Sequence, residues 1–216
     1  MKKLDIQRYS VNKLQENCYV VSDETKECVI IDCGAYYEEE RQAICDYITN
    51  NELVPKHLLV THGHLDHNFG NETLYKAFGI KPEVSARDEQ LMMHAKQQAA
   101  QFYDMELDIS MPSASRLLEE NDEIMFGNHT FKVLETPGHS KGCICFYCEE
   151  EGILFSGDTL FRGSIGRTDL GGGSMMMIIQ SLRFLAQLPD ETVVYPGHGP
   201  VTTIGDEVAH NPYLDR

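Results

Sequence analysis

The sequence lacks a long apolar run. Hydrophobic residues make up 42% of its 216 residues, but no uninterrupted stretch approaches the length that a helix needs to cross a bilayer. The opening segment, MKKLDIQRYS, also lacks the apolar region of a secretory signal peptide. We therefore expect a soluble, cytoplasmic protein with no membrane partner.

Basic residues are few: 18 Lys and Arg stand against 34 Asp and Glu, which gives a net charge of −16. Nucleic-acid binding depends on neutralising phosphates with Lys and Arg, so this balance weighs against a nucleic-acid partner. We expect a small-molecule substrate instead.

A disulfide framework is not expected either. The seven cysteines are an odd number, and a chain of this length can bury a substantial core without cross-links. We expect most of the cysteines to be buried apolar residues. The length suits one large domain, which we place over residues 1–216.

Short β-branched runs alternate with helical patterns along the chain. The runs predict strands over 4–11, 17–21, 27–34, 56–61, 123–126, 129–138, 142–148, 152–158 and 192–197. Helical spacing and composition predict helices over 39–50, 71–78, 88–103 and 174–187, with a surface loop over 104–122. Two strand-rich halves with helices to cover both predict an α/β fold in αββα layers.

The segment THGHLDHNFG follows the predicted strand over 56–61 and holds His62, His64, Asp66 and His67. A lone histidine is usually a surface or core residue, but a chance HxHxDH should arise in roughly one chain in a thousand. Nitrogen and carboxylate donors at this density are spaced for a cation. We therefore predict a metal site where this strand meets a helix.

Three further residues each follow a glycine that ends a predicted strand. They are His139 in TPGHSKG, Asp158 in FSGDTLF and His198 in YPGHGP. An aspartate in such a place could merely cap a turn, and a histidine could merely face solvent. Three such residues in order after the first cluster argue together for ligands.

The pattern HxHxDH, then His, then Asp, then His resembles the metallo-β-lactamase superfamily over nearly the whole chain. The resemblance implies a four-layer αββα sandwich with the metal site at the edge between the two sheets. The segment DCG at 32–34 is similar to the family's early Asp-x-Gly turn, where Asp32 would support the site without binding metal.

The resemblance also implies roles for the seven donors. His62, His64 and His139 would hold one divalent ion, Asp66, His67 and His198 the other, and Asp158 would bridge both. Asp66 and Asp158 are the residues that we name as catalytic. Zinc is the expected metal, with iron and manganese as alternatives, and a bridging hydroxide would be the nucleophile.

Asp158 also bears on the substrate. The β-lactam-cleaving branch of the superfamily often has cysteine at this position, so a carboxylate points toward thioesterases and other hydrolases. The stretches LFSGDTLFRGSIGRTDLGGG and YPGHGPVTTIGDEVAHNPYL resemble the glyoxalase II-like branch, the hydroxyacylglutathione hydrolases, especially its short bacterial members. This resemblance implies hydrolysis of a glutathione thioester.

Full-length hydroxyacylglutathione hydrolases carry a carboxy-terminal helical domain that contributes basic residues to the glutathione tail. We expect no such separate domain within residues 1–216. The candidate cations near the ligand loops are Lys141, Arg162 and Arg167, although each could equally be a solvated surface charge.

Two other functions stay open. The segment GRTD at 166–169 also resembles the persulfide dioxygenases, in which one ferrous ion would use His62, His139 and Asp158. The YPGHGP segment looks instead like the hydrolases. A non-enzymatic regulatory or metal-sensing domain is the third possibility, and the presence of all seven donors argues against it.

Overall fold

A computed structural model describes residues 3–214, in which two six-stranded sheets pack face to face. The first sheet follows the chain in the order β1 (Asp5–Val11), β2 (Glu16–Ser22), β3 (Glu27–Ile31), β4 (Val54–Leu59), β5 (Pro82–Ser85) and β6 (Arg116–Leu118). Strands β1 to β3 pair antiparallel, and β3 to β6 pair parallel.

The later strands are β7 (Glu123–Phe126), β8 (His129–Glu135), β9 (Ile144–Cys148), β10 (Ile153–Gly157), β11 (Leu160–Phe161), β12 (Ser164–Ile165), β13 (Val193–Pro196) and β14 (Thr202–Thr203). The second sheet has the order β14-β13-β10-β9-β8-β7, while β11 and β12 form a separate hairpin. Strands β10 and β13 pair parallel, and the other neighbours in this sheet pair antiparallel.

Helices cover the outer face of each sheet. They are α1 (Glu38–Asn50), α2 (Asn71–Phe78), α3 (Glu89–Met93), α4 (Ala95–Tyr103), α5 (Met175–Leu185) and α6 (Ile204–His210). Ile44 and Ile48 of α1 pack with Leu58 of the first sheet. Leu182 of α5 packs with Leu154 of the second. The predicted αββα layering is confirmed.

The main core lies between the sheets, where inward-facing side chains from both meet. Its members include Val21, Val29, Ile31, Phe131, Phe146 and Phe155, each at most 1% exposed. Tyr19 and Phe155 pack edge to face with ring centroids 5.2 Å apart. Six of the seven cysteines are buried and none is in a disulfide, as expected.

The prediction of one helix over 88–103 is wrong: α3 ends at Met93, and α4 begins at Ala95. His94 lies between them with ψ at 27°, and no glycine or proline signals the break. The predicted loop over 104–122 contains strand β6, and β5, β14 and α6 were not predicted. Strands of two to four residues are too short to show a period.

None of the helices within residues 3–214 has the length and apolar character required of a membrane span.

Candidate metal centre

The HxHxDH segment begins two residues after β4 ends. His62 and His64 lie in the loop, and Asp66 and His67 lie in a short 3-10 turn, Leu65–His67. All four side chains are at most 7% exposed. The Asn68 amide donates to the carbonyls of His62 (3.1 Å) and His64 (2.6 Å), which closes the loop on itself.

The other donors come from the second sheet. His139 follows β8, Asp158 follows β10, and His198 follows β13. Strand β9 is antiparallel to both β8 and β10, and β13 is parallel to β10, so the carboxyl ends of β8, β10 and β13 lie at the same edge. Two sheets therefore deliver their donors to one place.

The donors form two groups. In the first, ligand atoms of His62, His64 and His139 all lie within 4.8 Å of one another. The His64 Nδ1 and His139 Nε2 atoms are 2.8 Å apart. His62 Nε2 is buried and has no hydrogen-bond partner. Three imidazole nitrogens that face a common point suit a cation that accepts nitrogen ligands.

In the second group, ligand atoms of Asp66, His67 and His198 also lie within 4.8 Å of one another. The His67 and His198 Nε2 atoms are 3.3 Å apart, and His198 Nε2 is 3.4 Å from Asp66 Oδ2. Asp158 lies between the groups: its Oδ1 is 3.3 Å from His67 Nε2, and its Oδ2 is 3.5 Å from His139 Nε2. The seven residues singled out in the sequence thus form one cluster.

Hydrogen bonds on the outer side fix the tautomers of three histidines. The Nδ1 atoms of His67, His139 and His198 each face a carbonyl or carboxylate oxygen, so each Nδ1–H donates and each Nε2 lone pair points into the cluster. The acceptors are the Asp32 carboxylate (2.9 Å), the Arg167 carbonyl (2.8 Å) and the Leu14 carbonyl (3.1 Å), respectively.

Asp32 has the supporting position that the family resemblance implied. Its carboxylate accepts hydrogen bonds from the Thr61 backbone N–H (2.8 Å), the Thr61 hydroxyl (2.6 Å) and His67 Nδ1. Its oxygens could also form a ligand group with His62 and His67. Because these oxygens are already engaged by Thr61 and the outer nitrogen of His67, we do not count Asp32 among the ligands.

The charges of the cluster favour a cation at its centre. Burial lowers the pKa of His64 to about 4, and it also lowers that of His62, so both rings are neutral and can offer a lone pair. Burial opposes ionisation of Asp158, but the imidazole of His67 holds its pKa well below the ordinary value. Burial likewise opposes charge on His67, yet Asp158 and Asp66 raise its pKa well above the ordinary value.

Two buried residues support the cluster without having been singled out in the sequence. Gln98 of α4 accepts the Leu65 N–H (3.0 Å) and donates to the Gly63 carbonyl (2.9 Å), on either side of His64. Glu16 has Oε1 at 3.8 Å from His67 Nδ1, and burial raises its pKa well above the ordinary value. Neither residue has a local motif, because each partner is distant in sequence.

A cavity of about 460 Å³ opens over the cluster. His64, Asp66, His139, Asp158 and His198 line it. The donors are thus accessible to a small molecule while the surrounding protein limits the access of bulk water.

The walls of this cavity are largely apolar. Leu14, Phe102 and Leu170 contribute side chains, and Arg167 is the one of the three proposed substrate cations that lines it. The Arg167 guanidinium makes two 2.7 Å hydrogen bonds to the Asp169 carboxylate. Lys141 and Arg162 are exposed and do not belong to the lining.

Known proteins share this architecture. A family profile described as the metallo-beta-lactamase superfamily matches residues 11–198. The hydroxyacylglutathione hydrolase GloC of Haemophilus influenzae is 35% identical over 98% of this chain and 99% of its own length.

Two solved structures are similarly close. The BLEG-1 B3 metallo-beta-lactamase is 34% identical with a TM-score of 0.89, and the alignment covers 97% of this chain and 99% of that one. TTHA1623, solved in a di-iron-bound form, is 38% identical with a TM-score of 0.84, covering 96% of this chain and all of that one. The chain belongs to the metallo-β-lactamase superfamily, whose fold binds divalent metals.

Proposed function

We propose that this protein is a binuclear metal hydrolase that cleaves a thioester, as hydroxyacylglutathione hydrolases do. The observation that carries the proposal is the orientation of the histidines. The outer nitrogens of His67, His139 and His198 are engaged, and their Nε2 atoms converge with the other donors in two adjacent groups. Such an arrangement fits two cations better than one.

The first ion would be held by His62, His64 and His139, and the second by Asp66, His67 and His198. Asp158 faces both groups with its two oxygens, so its carboxylate would bridge them. Zinc suits this set of nitrogen and oxygen donors, and so do iron and manganese. When bound, the ions would supply a water of near-neutral pKa and a Lewis acid for the carbonyl oxygen.

The side chains of the cavity support a water nucleophile. Within residues 3–214, none of the residues that line the cavity is a serine, threonine, cysteine or lysine, so no side chain there can form an acyl intermediate in the usual way. Burial raises the pKa of Tyr103 in the cavity wall. Its hydroxyl therefore stays protonated and can donate a hydrogen bond to the substrate.

The mononuclear dioxygenase is the main alternative, and it would use His62, His139 and Asp158 alone. The second donor group weighs against it, because the Leu14 carbonyl and Asp32 orient His198 and His67 toward a position that one iron would not need. The relative with a β-lactamase title makes β-lactam hydrolysis a further activity to test.

The deciding experiment measures metal content beside activity. Purified protein is analysed for zinc, iron and manganese and assayed with S-lactoylglutathione, a chromogenic β-lactam, and glutathione persulfide with oxygen monitored. We expect two metal ions per chain and release of thiol, with loss of turnover after chelation and recovery with zinc. One iron per chain with oxygen uptake would refute the hydrolase, and metal binding without any turnover would favour a sensing domain.

Phe102 is expected to contribute to substrate binding through apolar contact. It lies in the cavity wall near the end of α4 and is 48% exposed. Phe102→Ala should raise KM about tenfold and leave kcat unchanged, because a buried aromatic contact contributes about 1.5 kcal/mol equally to ground and transition states. Phe184→Ala is the matched control, since Phe184 is 45% exposed on α5 and lies outside the cavity lining. Equal KM values in both variants would exclude this role.

A further inference from the structure

Asp88 joins the loops that carry the first donor group. It precedes α3 and is 1% exposed. Its Oδ2 accepts the Gly63 N–H (2.9 Å) and the Ser140 hydroxyl (2.5 Å), and its Oδ1 accepts the Gly142 N–H (2.8 Å). One carboxylate thus holds three donors from two distant segments of the chain.

These segments belong to different sheets. Gly63 stands between His62 and His64 in the loop after β4, whereas Ser140 follows His139 in the loop after β8. The loops also meet through a backbone hydrogen bond from Ile144 N–H to the Thr61 carbonyl (2.9 Å). Asp88 therefore closes the contact at the ligand end of both loops.

The two glycines are required by how closely the loops approach Asp88. A Cβ at Gly63 would lie 2.7 Å from the Asp88 carbonyl oxygen, and a Cβ at Gly142 would lie 2.7 Å from the Asp88 nitrogen. Both obstacles are backbone atoms, which cannot move aside as a flexible side chain could. The sequence thus has glycine at both positions where the loops bond to this carboxylate.

We propose that Asp88 is a positioning residue that sets the distance between the His62–His64 loop and His139 before a metal binds. The proposal rests on the metal-centre function put forward above. Asp88 contacts no donor side chain, so it acts through the backbone and the Ser140 hydroxyl. A site whose donors are already in place loses less conformational entropy when it binds its ion, and its affinity is higher.

Asp88→Asn tests this role with little change in volume. One face of the side chain becomes an amide N–H₂, which faces a backbone N–H or the Ser140 hydroxyl and breaks part of the network. We expect the affinity for one of two zinc ions to fall about tenfold, as for other residues that orient ligands from behind. Competition with a chromophoric chelator measures the affinity, and the visible spectrum of the cobalt-substituted protein should change with the ligand geometry.

Asp23→Asn is the matched control. Asp23 is also buried and accepts the N–H groups of Thr25 (2.9 Å) and Asn128 (2.7 Å), but it follows β2 at the end away from Glu16 and the cluster. This variant should lose comparable stability yet keep the zinc affinity and cobalt spectrum of the natural protein. Wild-type affinity and spectrum in Asp88→Asn would overturn the proposal, as would equal changes in both variants.

Ser140→Ala provides a milder variant in case Asp88→Asn does not fold. It removes one hydrogen bond to Asp88, and we expect zinc affinity to fall about threefold, in line with about 0.7 kcal/mol for one bond. Unchanged affinity in Ser140→Ala would then overturn the proposal. If the natural protein binds two zinc ions but hydrolyses no thioester, the proposed function fails while the affinity test of Asp88 still holds. A natural protein that binds no zinc refutes both.

Discussion

Replacing His62 by alanine is expected to reduce thioester hydrolysis at least about a thousandfold, because a metal ion contributes several kcal/mol to transition-state stabilisation. The fold should persist. His62 Nε2 makes no hydrogen bond in the protein, so its removal leaves few polar groups without a partner. Metal analysis should find fewer than two ions per chain, and far-ultraviolet circular dichroism should match that of the natural protein.

His210→Ala is the control for this variant. His210 is an exposed histidine on α6 whose Nδ1 contacts the Asp206 carbonyl (2.9 Å), far in the chain from the loops of the cluster. It should retain full activity and two metal ions. If His62→Ala also retained full turnover, the metal-centre mechanism would be untenable.

Replacing Asp32 by asparagine is expected to act through the tautomer of His67. The carboxylate accepts His67 Nδ1–H at 2.9 Å, which leaves Nε2 free to bind metal. An amide N–H₂ in that place favours the tautomer with Nδ1 as acceptor, so the proton moves to Nε2 and blocks it. Asparagine also tolerates the φ of 50° at this position. We expect affinity for one metal ion and activity to fall 10- to 100-fold.

The same Asp23→Asn variant controls for the chemistry of this change. Asp23 Oδ2 lies 3.2 Å from His129 Nδ1, so its replacement alters a buried Asp–His pair that is outside the cluster. Zinc titration should show two tight sites in Asp23→Asn and one weakened site in Asp32→Asn. Two tight sites in Asp32→Asn would show that the His67 tautomer does not depend on Asp32.

The donors of the cluster could be found in the sequence because they share a local signature. Each lies just past a strand, and His139, Asp158 and His198 directly follow a glycine. The carboxyl ends of parallel strands meet at one edge, so residues in these positions are brought together by the fold itself. The roles of the donors as ligands are still predictions, but their convergence is observed.

The residues behind the donors could not be found in this way. Gln98 bonds to Gly63 and Leu65 over more than 30 residues, and Asp88 bonds to Ser140 over 52. Such partners depend on how separate elements pack, and a single sequence carries no trace of that. The break at His94 is similar, because the helix formers on both sides would allow a continuous helix.

The order of the strands along the chain has a consequence for biosynthesis. All six strands of the first sheet lie before residue 119, and all strands of the second lie after residue 122. Each half of the polypeptide therefore brings an incomplete set of donors, and the set is complete only when the halves dock. A nascent chain that has built the first sheet holds four of the seven donors and cannot assemble the full cluster until nearly all of the protein, through His198, has left the ribosome.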